Sequence, residues 1–517
     1  MLIDVKHHLT EPSPEPSPQR RPNPSPTASR HSRHATVTEV NQPTVTVSGG
    51  DLRGVLRNDI AVFKGITYAD AERFAHSRLS DERWSGVRNA DTYGPQALQV
   101  PGTMELLLGE SSQPTAEDCL TLNVFAPTTP GPHPVLVWIH GGAFTNGAGS
   151  VPWYDGTNIA SLGDLVVVTI NYRLGAFGFL GHSNVGLGDQ LNALRWVRNE
   201  IAAFGGDPSQ VTIMGESAGG CSVIALMATP GGRDLFHRAI ALSPSLPQIR
   251  AADRSDETVA ETLRAAGVDD VDALRALPGD ALLAAQAAML GGTSDALTAF
   301  SPTAGGDLLP SDVHAAAALD PRPLMIGTTR DEMHLFCAFD PAITGMDDDA
   351  VQRRFAHLFD DTAHVLDVYR SHRDDHNSGQ LFSAIRTDAV FRRPAHRLAD
   401  ARWAHGHQSF MHWFTFPTPV FGGVLGSCHA LDIPFALANL DRTGVELFTG
   451  TDERRAGLAA TFAGAVSAFA RKGDPGWATW DDRRVTQVLN LDSQCGVDII
   501  EDPEPSIREL WADANAG

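Results

Sequence analysis

The chain of 517 residues carries 40 Lys and Arg against 62 Asp and Glu, a formal net charge of -22, which excludes the basic surface that nucleic-acid binding requires. Its 42% hydrophobic content suffices for a sizeable interior, and no apolar run is long enough to span a membrane. The five cysteines are scattered without a CxxC spacing, which excludes a disulfide scaffold and a zinc cluster.

Residues 1–43 include "EPSPEPSPQRRPNPSPTASRHSRH", where Pro alternates with polar residues. Such a segment buries too little apolar surface to offset its ordering entropy, so a disordered Pro/Ser-rich tail is expected. The opening "MLIDVKHHLT" lacks the apolar stretch of a secretory signal, making a cytoplasmic location the default.

From Thr44 to Gly517 the texture is that of one α/β domain. The runs "AVFKGITYA", "LTLNVFAP", "HPVLVWIHGG", "DLVVVTINYR", "VTIMG" and "RAIALS" are short, apolar and bounded by turn formers, as buried strands are. Between the fourth and fifth, Leu187, Leu191, Leu194, Val197, Ile201 and Phe204 recur at helical spacing, and Gly205 and Gly206 are expected to stop that helix. Strands alternating with helices imply a mostly parallel sheet covered on both faces. The helix-rich stretch from about 251 to 375, with "VQRRFAHLFDDTAHVLDVYR" as one amphipathic piece, predicts a helical cap over the sheet's C-terminal edge.

Two loops follow predicted strands in a chemically suggestive way. Gly215-Glu216-Ser217-Ala218-Gly219 is a GxSxG between a strand and a small-residue helix start. It fits a nucleophile elbow, in which the serine oxygen projects from a strained turn, and it also fits a merely cramped strand-to-helix turn. Upstream, "WIHGGAF" (138–144) ends a strand with two glycines that free the backbone to aim N–H groups inward. An oxyanion loop precedes the elbow in the same order.

Taken together, the motifs resemble the type-B carboxylesterase family, which includes bacterial para-nitrobenzyl esterases and the cholinesterases. The resemblance rests on "EDCLTLNVFAP" (117–127), "NYRLGAFGFL" (171–180), "DQLNALRWV", "FGGDP" and "GDPSQVTIMGESAGGCSV" (206–223), and it extends to "RKGDPGWATW". It implies an α/β-hydrolase fold and a serine carboxylesterase acting on small-molecule esters, with no metal or organic cofactor. The family's acid lies in a segment similar to "IGTTRDEMHLF", implying Glu332, with Asp331 beside it as a loop carboxylate. Its histidine lies in a stretch similar to "GSCHALDIPFAL", implying His429. Ser217 would then attack the carbonyl, His429 would carry the proton, and the N–H groups of Gly142, Ala143 and Ala218 would hold the oxyanion. His140 is expected to hold the oxyanion loop in shape. "HGGAF" also resembles the extended GGG(A)X form of that loop, which implies room for esters of tertiary alcohols.

Three departures stand out. Met333 occupies a position where the family usually has glycine. "GPQALQ" has Ala97 where secreted relatives carry the partner of the EDC cysteine, so Cys119 has no local partner, in keeping with a reducing compartment. "GITYADAERF" is shorter than the family's usual loop. The alternative reading is a catalytically inactive binding module of the same fold; such proteins typically lose a triad residue, whereas this chain keeps all three.

Overall fold

The Val- and Ile-rich runs become strands of a single sheet in a computed structural model that describes residues 42–102, 113–290, 298–373, 377–512 and 514. The expected disordered tail, apart from Gln42 and Pro43, lies outside the described residues. Chain contacts group residues 42–517 as one compact unit.

Among the described residues the main sheet has eleven strands. In chain order they are β1 (Val55–Arg57), β2 (Ile60–Thr67), β3 (Thr121–Pro127), β4 (His133–Ile139), β5 (Val166–Ile170) and β6 (Gly206–Glu216). They continue with β7 (Arg238–Leu242), β8 (Leu324–Thr329), β9 (Ser409–Phe414), β10 (Val485–Leu489) and β11 (Ile499–Glu501). The spatial order is β1-β2-β3-β5-β4-β6-β7-β8-β9-β10-β11. Strands β5 to β10 through the centre are parallel, while β1, β2, β3 and β11 pair antiparallel at the margins.

Apart from the polar start of β6 (Asp207–Gln210), the central strands are almost wholly buried because both faces are covered, which is why they read as continuous apolar runs. Alternate side chains enter different cores. Val135, Val137, Ile139, Val211 and Ile213 join one cluster; Leu136, Trp138, Met214 and Ile240 join the other. The helices that supply the cover include α1 (Thr157–Gly163), α2 (Val185–Glu200), α3 (Ala218–Ala228) and α4 (Arg455–Lys472). Leu187, Leu191 and Leu194 of α2 pack with the first core, and Leu458, Phe462, Val466 and Phe469 of α4 with the second. Each such fully buried side chain contributes roughly 1.5–3 kcal/mol relative to exposure.

The six-residue stripe predicted for α2 is buried throughout, although its last turn, Ile201–Phe204, tightens into a 3-10 helix. Gly205 ends it in a left-handed conformation (φ 79°). Gly206 does not serve as a stop: it is the first residue of β6.

The structure adds two details to the cap region. The helix-rich stretch 251–375 also contains β8, which lies between β7 and β9 in the main sheet. The helices before β8 include Ala252–Ala266 and Gly279–Leu290, and those after it pack into a third cluster containing Met333, Phe355, Tyr369, Phe382 and Phe391. The piece 351–370 is likewise two helices, Asp348–Phe355 and Thr362–His372. Asp361 accepts a hydrogen bond from the His364 N–H at 3.0 Å, so a carboxylate that would fit a polar helix face instead caps a new helix.

Among the described residues no helix is long and apolar enough to cross a membrane. All five cysteines are described and all are free, Cys119 being fully buried. The melting temperature is therefore expected to be the same with and without a thiol reductant, measured by thermal denaturation; a fall of several degrees on reduction would reveal a stabilising bridge.

Candidate active site

Strand β6 delivers Ser217 to the edge of the sheet, and α3 begins at the next residue. Ser217 has φ 58° and ψ -119°, a conformation that costs a non-glycine residue on the order of 1–3 kcal/mol. It persists because its surroundings fix it. The Ser217 N–H donates to the Leu242 carbonyl at 3.0 Å, and the Cys221 N–H donates to the Ser217 carbonyl at 2.7 Å. A Cβ at Gly219 would meet the Ile139 carbonyl oxygen at 2.1 Å, and one at Gly215 would meet the Gly219 oxygen at 2.4 Å. The glycines of the GxSxG are thus required by backbone-to-backbone contact between β4, β6 and α3.

The loop after β4 lies against this elbow. A Cβ on Gly141 would stand 2.9 Å from Glu216 Oε2 and 3.1 Å from Ser217 Cβ, so a larger residue would displace the serine. Gly142, Ala143 and Phe144 all have positive φ (108°, 52° and 61°). Both ends of the loop are pinned. The His140 ring stacks on Tyr172 at 4.4 Å, and its Nδ1 lies 2.8 Å from the Gly141 carbonyl oxygen, which fixes that peptide plane. Burial draws the His140 imidazole down to about 4, so the ring is neutral. At the other end the fully buried Phe144 ring packs edge-on against Phe179 at 4.9 Å. Among the described residues the N–H groups of Gly142, Ala143 and Ala218 donate to no protein acceptor. A Cβ at Gly142 would strike Asn146 O and Oδ1 at 2.2 Å, so bulk there breaks the turn itself rather than entering the space for the alcohol.

Glu332 and His429 meet beside the elbow. His429 Nδ1 lies 2.5 Å from Glu332 Oε2, and Glu332 Oε1 accepts from the Thr329 N–H at 2.8 Å. Asp331 is occupied elsewhere. It accepts from the Ser427 N–H at 2.8 Å and from the Arg330 guanidinium at 2.8–3.0 Å, fastening the turn two residues ahead of His429. Burial opposes its charge, but Arg330 holds its carboxyl down to about 2. Met333 adopts an ordinary right-handed conformation (φ -73°), and its N–H donates to Thr387 Oγ1 at 3.1 Å, so no glycine is demanded there.

Sequence reasoning passed over two further carboxylates. Glu216, the residue before Ser217, places Oε1 3.1 Å from His429 Nε2, an ion-pair distance without the alignment of a hydrogen bond. Ser217 Oγ makes no hydrogen bond to His429, so the nitrogen facing the elbow is engaged by Glu216. Asp432 is fully buried with both carboxylate oxygens unpartnered. Burial, reinforced by Glu216 and Glu332, pushes its carboxyl well above the usual range. Burial alone would depress the His429 imidazole, but Glu216 and Glu332 outweigh it and raise the group. The only signals in sequence were the "E" of GES and the acid of His-x-x-acid. Among the described residues, no group of three or more His, Cys, Asp or Glu is arranged to hold a metal ion.

The chain matches the carboxylesterase family over residues 41–497. It is 35% identical to the phenmedipham hydrolase of Pseudarthrobacter oxydans over 91% of this chain and 100% of that protein. It is also 35% identical to the para-nitrobenzyl esterase of Bacillus subtilis, over 90% and 97% respectively. The crystal structure of a Geobacillus stearothermophilus carboxylesterase is similar with a TM-score of 0.79 and 34% identity, covering 90% of this chain and 99% of that one. The protein is an α/β-hydrolase of the type-B carboxylesterase family, and its activity is that of a carboxylic ester hydrolase.

The Glu216 contact sets a pH dependence. With His429 as the base that the sequence expects, the imidazole must be neutral to act, and a raised imidazole loses its proton only at higher pH, so ester hydrolysis should climb on the alkaline side of neutrality. Glu216→Gln removes one stabilising charge and should move the acidic limb of the kcat/KM–pH profile down by on the order of one unit. An unmoved limb, or one displaced upward, would contradict this electrostatic arrangement.

Proposed function

We propose that the protein hydrolyses carboxylic esters through an acyl-enzyme on Ser217. His429 takes the serine proton as the oxygen attacks the carbonyl, and then donates it to the departing alkoxide. Glu332 holds the imidazole with its proton on Nδ1 and stabilises the imidazolium. The N–H groups of Gly142, Ala143 and Ala218 receive the developing oxyanion, and water activated by the same histidine releases the acid.

The observation that carries this reading is the strained Ser217 elbow, set beside a His429 that is itself held by Glu332. The absence of a Ser217–His429 hydrogen bond fits an unliganded site, where such contacts are often loose and tighten when substrate arrives. In that step the imidazole must exchange Glu216 for the serine oxygen. Three unspent N–H groups on a loop pinned at both ends provide donors that need no rearrangement as charge develops. The resemblance of "HGGAF" to the extended form of the loop supports cleavage of tertiary-alcohol esters. Five free cysteines support a cytoplasmic location.

Ser217→Ala is expected to fold and to lose on the order of 10⁴ to 10⁶ in kcat. Glu332→Gln should cost orders of magnitude in kcat, and Asp331→Asn should act chiefly on stability. Steady-state kinetics and thermal denaturation of the three variants check this. Near-normal turnover in Ser217→Ala, or the opposite ranking of the two acids, would overturn the assignment.

A further inference from the structure

Pro394 interrupts a helical run that extends from Ser378 to Ala404. It has no N–H to give to the carbonyl one turn back, and the chain widens into a π-turn at Asp388–Arg392, where the Arg393 N–H donates to the Asp388 carbonyl. Single turns of this kind often accompany functional sites. This one touches the proposed site at two points. Phe391, buried, packs its ring 4.8 Å from that of His429. Thr387, the residue before the turn, accepts the Met333 N–H at 3.1 Å, beside Glu332.

The two charged residues of the turn are buried and tied outward. Arg392 pairs with Asp388 at 3.2 Å, lies over the Trp413 ring of β9 at 4.4 Å and donates to Glu504. The other Glu504 oxygen accepts from Arg373. Asp388 accepts from the Tyr369 hydroxyl, which in turn accepts from the Trp511 indole N–H at 2.8 Å. Glu504 immediately precedes the helix Pro505–Ala512, and Trp511 lies on it. That helix therefore grips the π-turn directly at one end and through Tyr369 at the other. Burial opposes the Glu504 charge, but Arg392 and Arg373 hold its carboxyl below the usual range. Glu504 also stands at φ 58°, a conformation that a side chain keeps only where its partners fix it.

A buried ion cluster adds little net stability, because desolvation offsets much of the attraction, but it dictates where its members stand. Here the member that matters is the turn carrying Phe391. The hydrogen bond to Glu332 fixes one nitrogen of the imidazole and leaves the ring free to swing about it, a freedom that a packed ring removes. We infer that Glu504 is a positioning residue for ester hydrolysis: through Arg392 it holds the Asp388–Arg392 turn, so that the Phe391 ring keeps the His429 imidazole aimed at the serine. This rests on the serine-esterase reading and deepens it, adding a control on kcat from a helix that touches no reacting atom.

The test is a cycle of Phe391→Leu, Glu504→Gln and the double variant against the wild-type chain, on para-nitrophenyl acetate. It is run at a temperature where circular dichroism shows every variant folded. Acylation and deacylation both pass through His429, so kcat reports its placement whichever step is slow. Each single variant is expected to lose about tenfold in kcat with KM changed by less than about twofold. The double variant should lose no more than Phe391→Leu alone, because without the ring the ion cluster has nothing to position. Normal kcat in either single variant, losses that multiply in the double, or a loss carried by KM would each overturn the inference. Should Glu504→Gln fail to fold, Arg373→Gln, which frees the other carboxylate oxygen, takes its place in the cycle. Wild-type turnover that survives Ser217→Ala would sink the esterase reading itself. Turnover abolished by Ser217→Ala yet untouched by Glu504→Gln sinks only the positioning role.

Discussion

Where β4, β6 and α3 meet, backbone runs against backbone more closely than a methyl group permits. The Ile139 carbonyl lies 2.1 Å from where a Cβ on Gly219 would stand, and Glu216 and Ser217 lie 2.7–3.1 Å from where one on Gly141 would stand. This contact forces the turn from β6 into α3 to be tight enough that Ser217 takes a positive φ. It also brings the loop after β4 within reach of the serine. The eleven-strand sheet and its two apolar faces matter to function chiefly because they hold these three backbones together, by burying side chains such as Ile139, Met214 and Cys221.

Around His429 a second constraint operates. Glu216, Glu332 and Asp432 are buried near one imidazole, and three carboxylates cannot all be charged there without a matching cation. Burial drives the Asp432 carboxyl far up and the Glu216 carboxyl up to about 7, while Glu216 and Glu332 together raise the histidine against its own burial. The His429 imidazole therefore rests between two acids. Glu332 is anchored by the Thr329 N–H, whereas Glu216 sits on the strained strand end and touches His429 without hydrogen-bond alignment. On the proposed mechanism, that asymmetry makes Glu216 the partner the ring would exchange for the serine oxygen.

The parts of this arrangement that are local backbone demands were legible in the sequence. A GxSxG behind "VTIM" and a "HGG" behind "LVWI" announce close approaches, because only glycine satisfies them, and the α2 stripe declares its buried face by spacing alone. The pairing of Glu332 with His429 was not legible from residues, since they are 97 positions apart and joined only by the fold; the family resemblance supplied it. Strands β9 and β10 escaped because His412 and Gln487 interrupt their apolar character, though both side chains are buried. Strand β8 was concealed among flanking helices, and Asp360-Asp361 looked like a polar face until the structure made Asp361 a cap. Glu216 was marked only as the "E" of GES: a charged residue between a strand and a serine looks like filler until the imidazole is beside it.

The account turns on a covalent bond to Ser217. Mixing the enzyme with para-nitrophenyl acetate, quenching in acid within the first turnover and analysing the intact chain and its peptides by mass spectrometry would detect that bond directly. The account predicts a single added acetyl group on the peptide containing Ser217, formed with a burst of nitrophenol and lost as turnover completes. Ester cleavage with no adduct, or an acetyl group that accumulates on another residue with the kinetics of turnover, would contradict it.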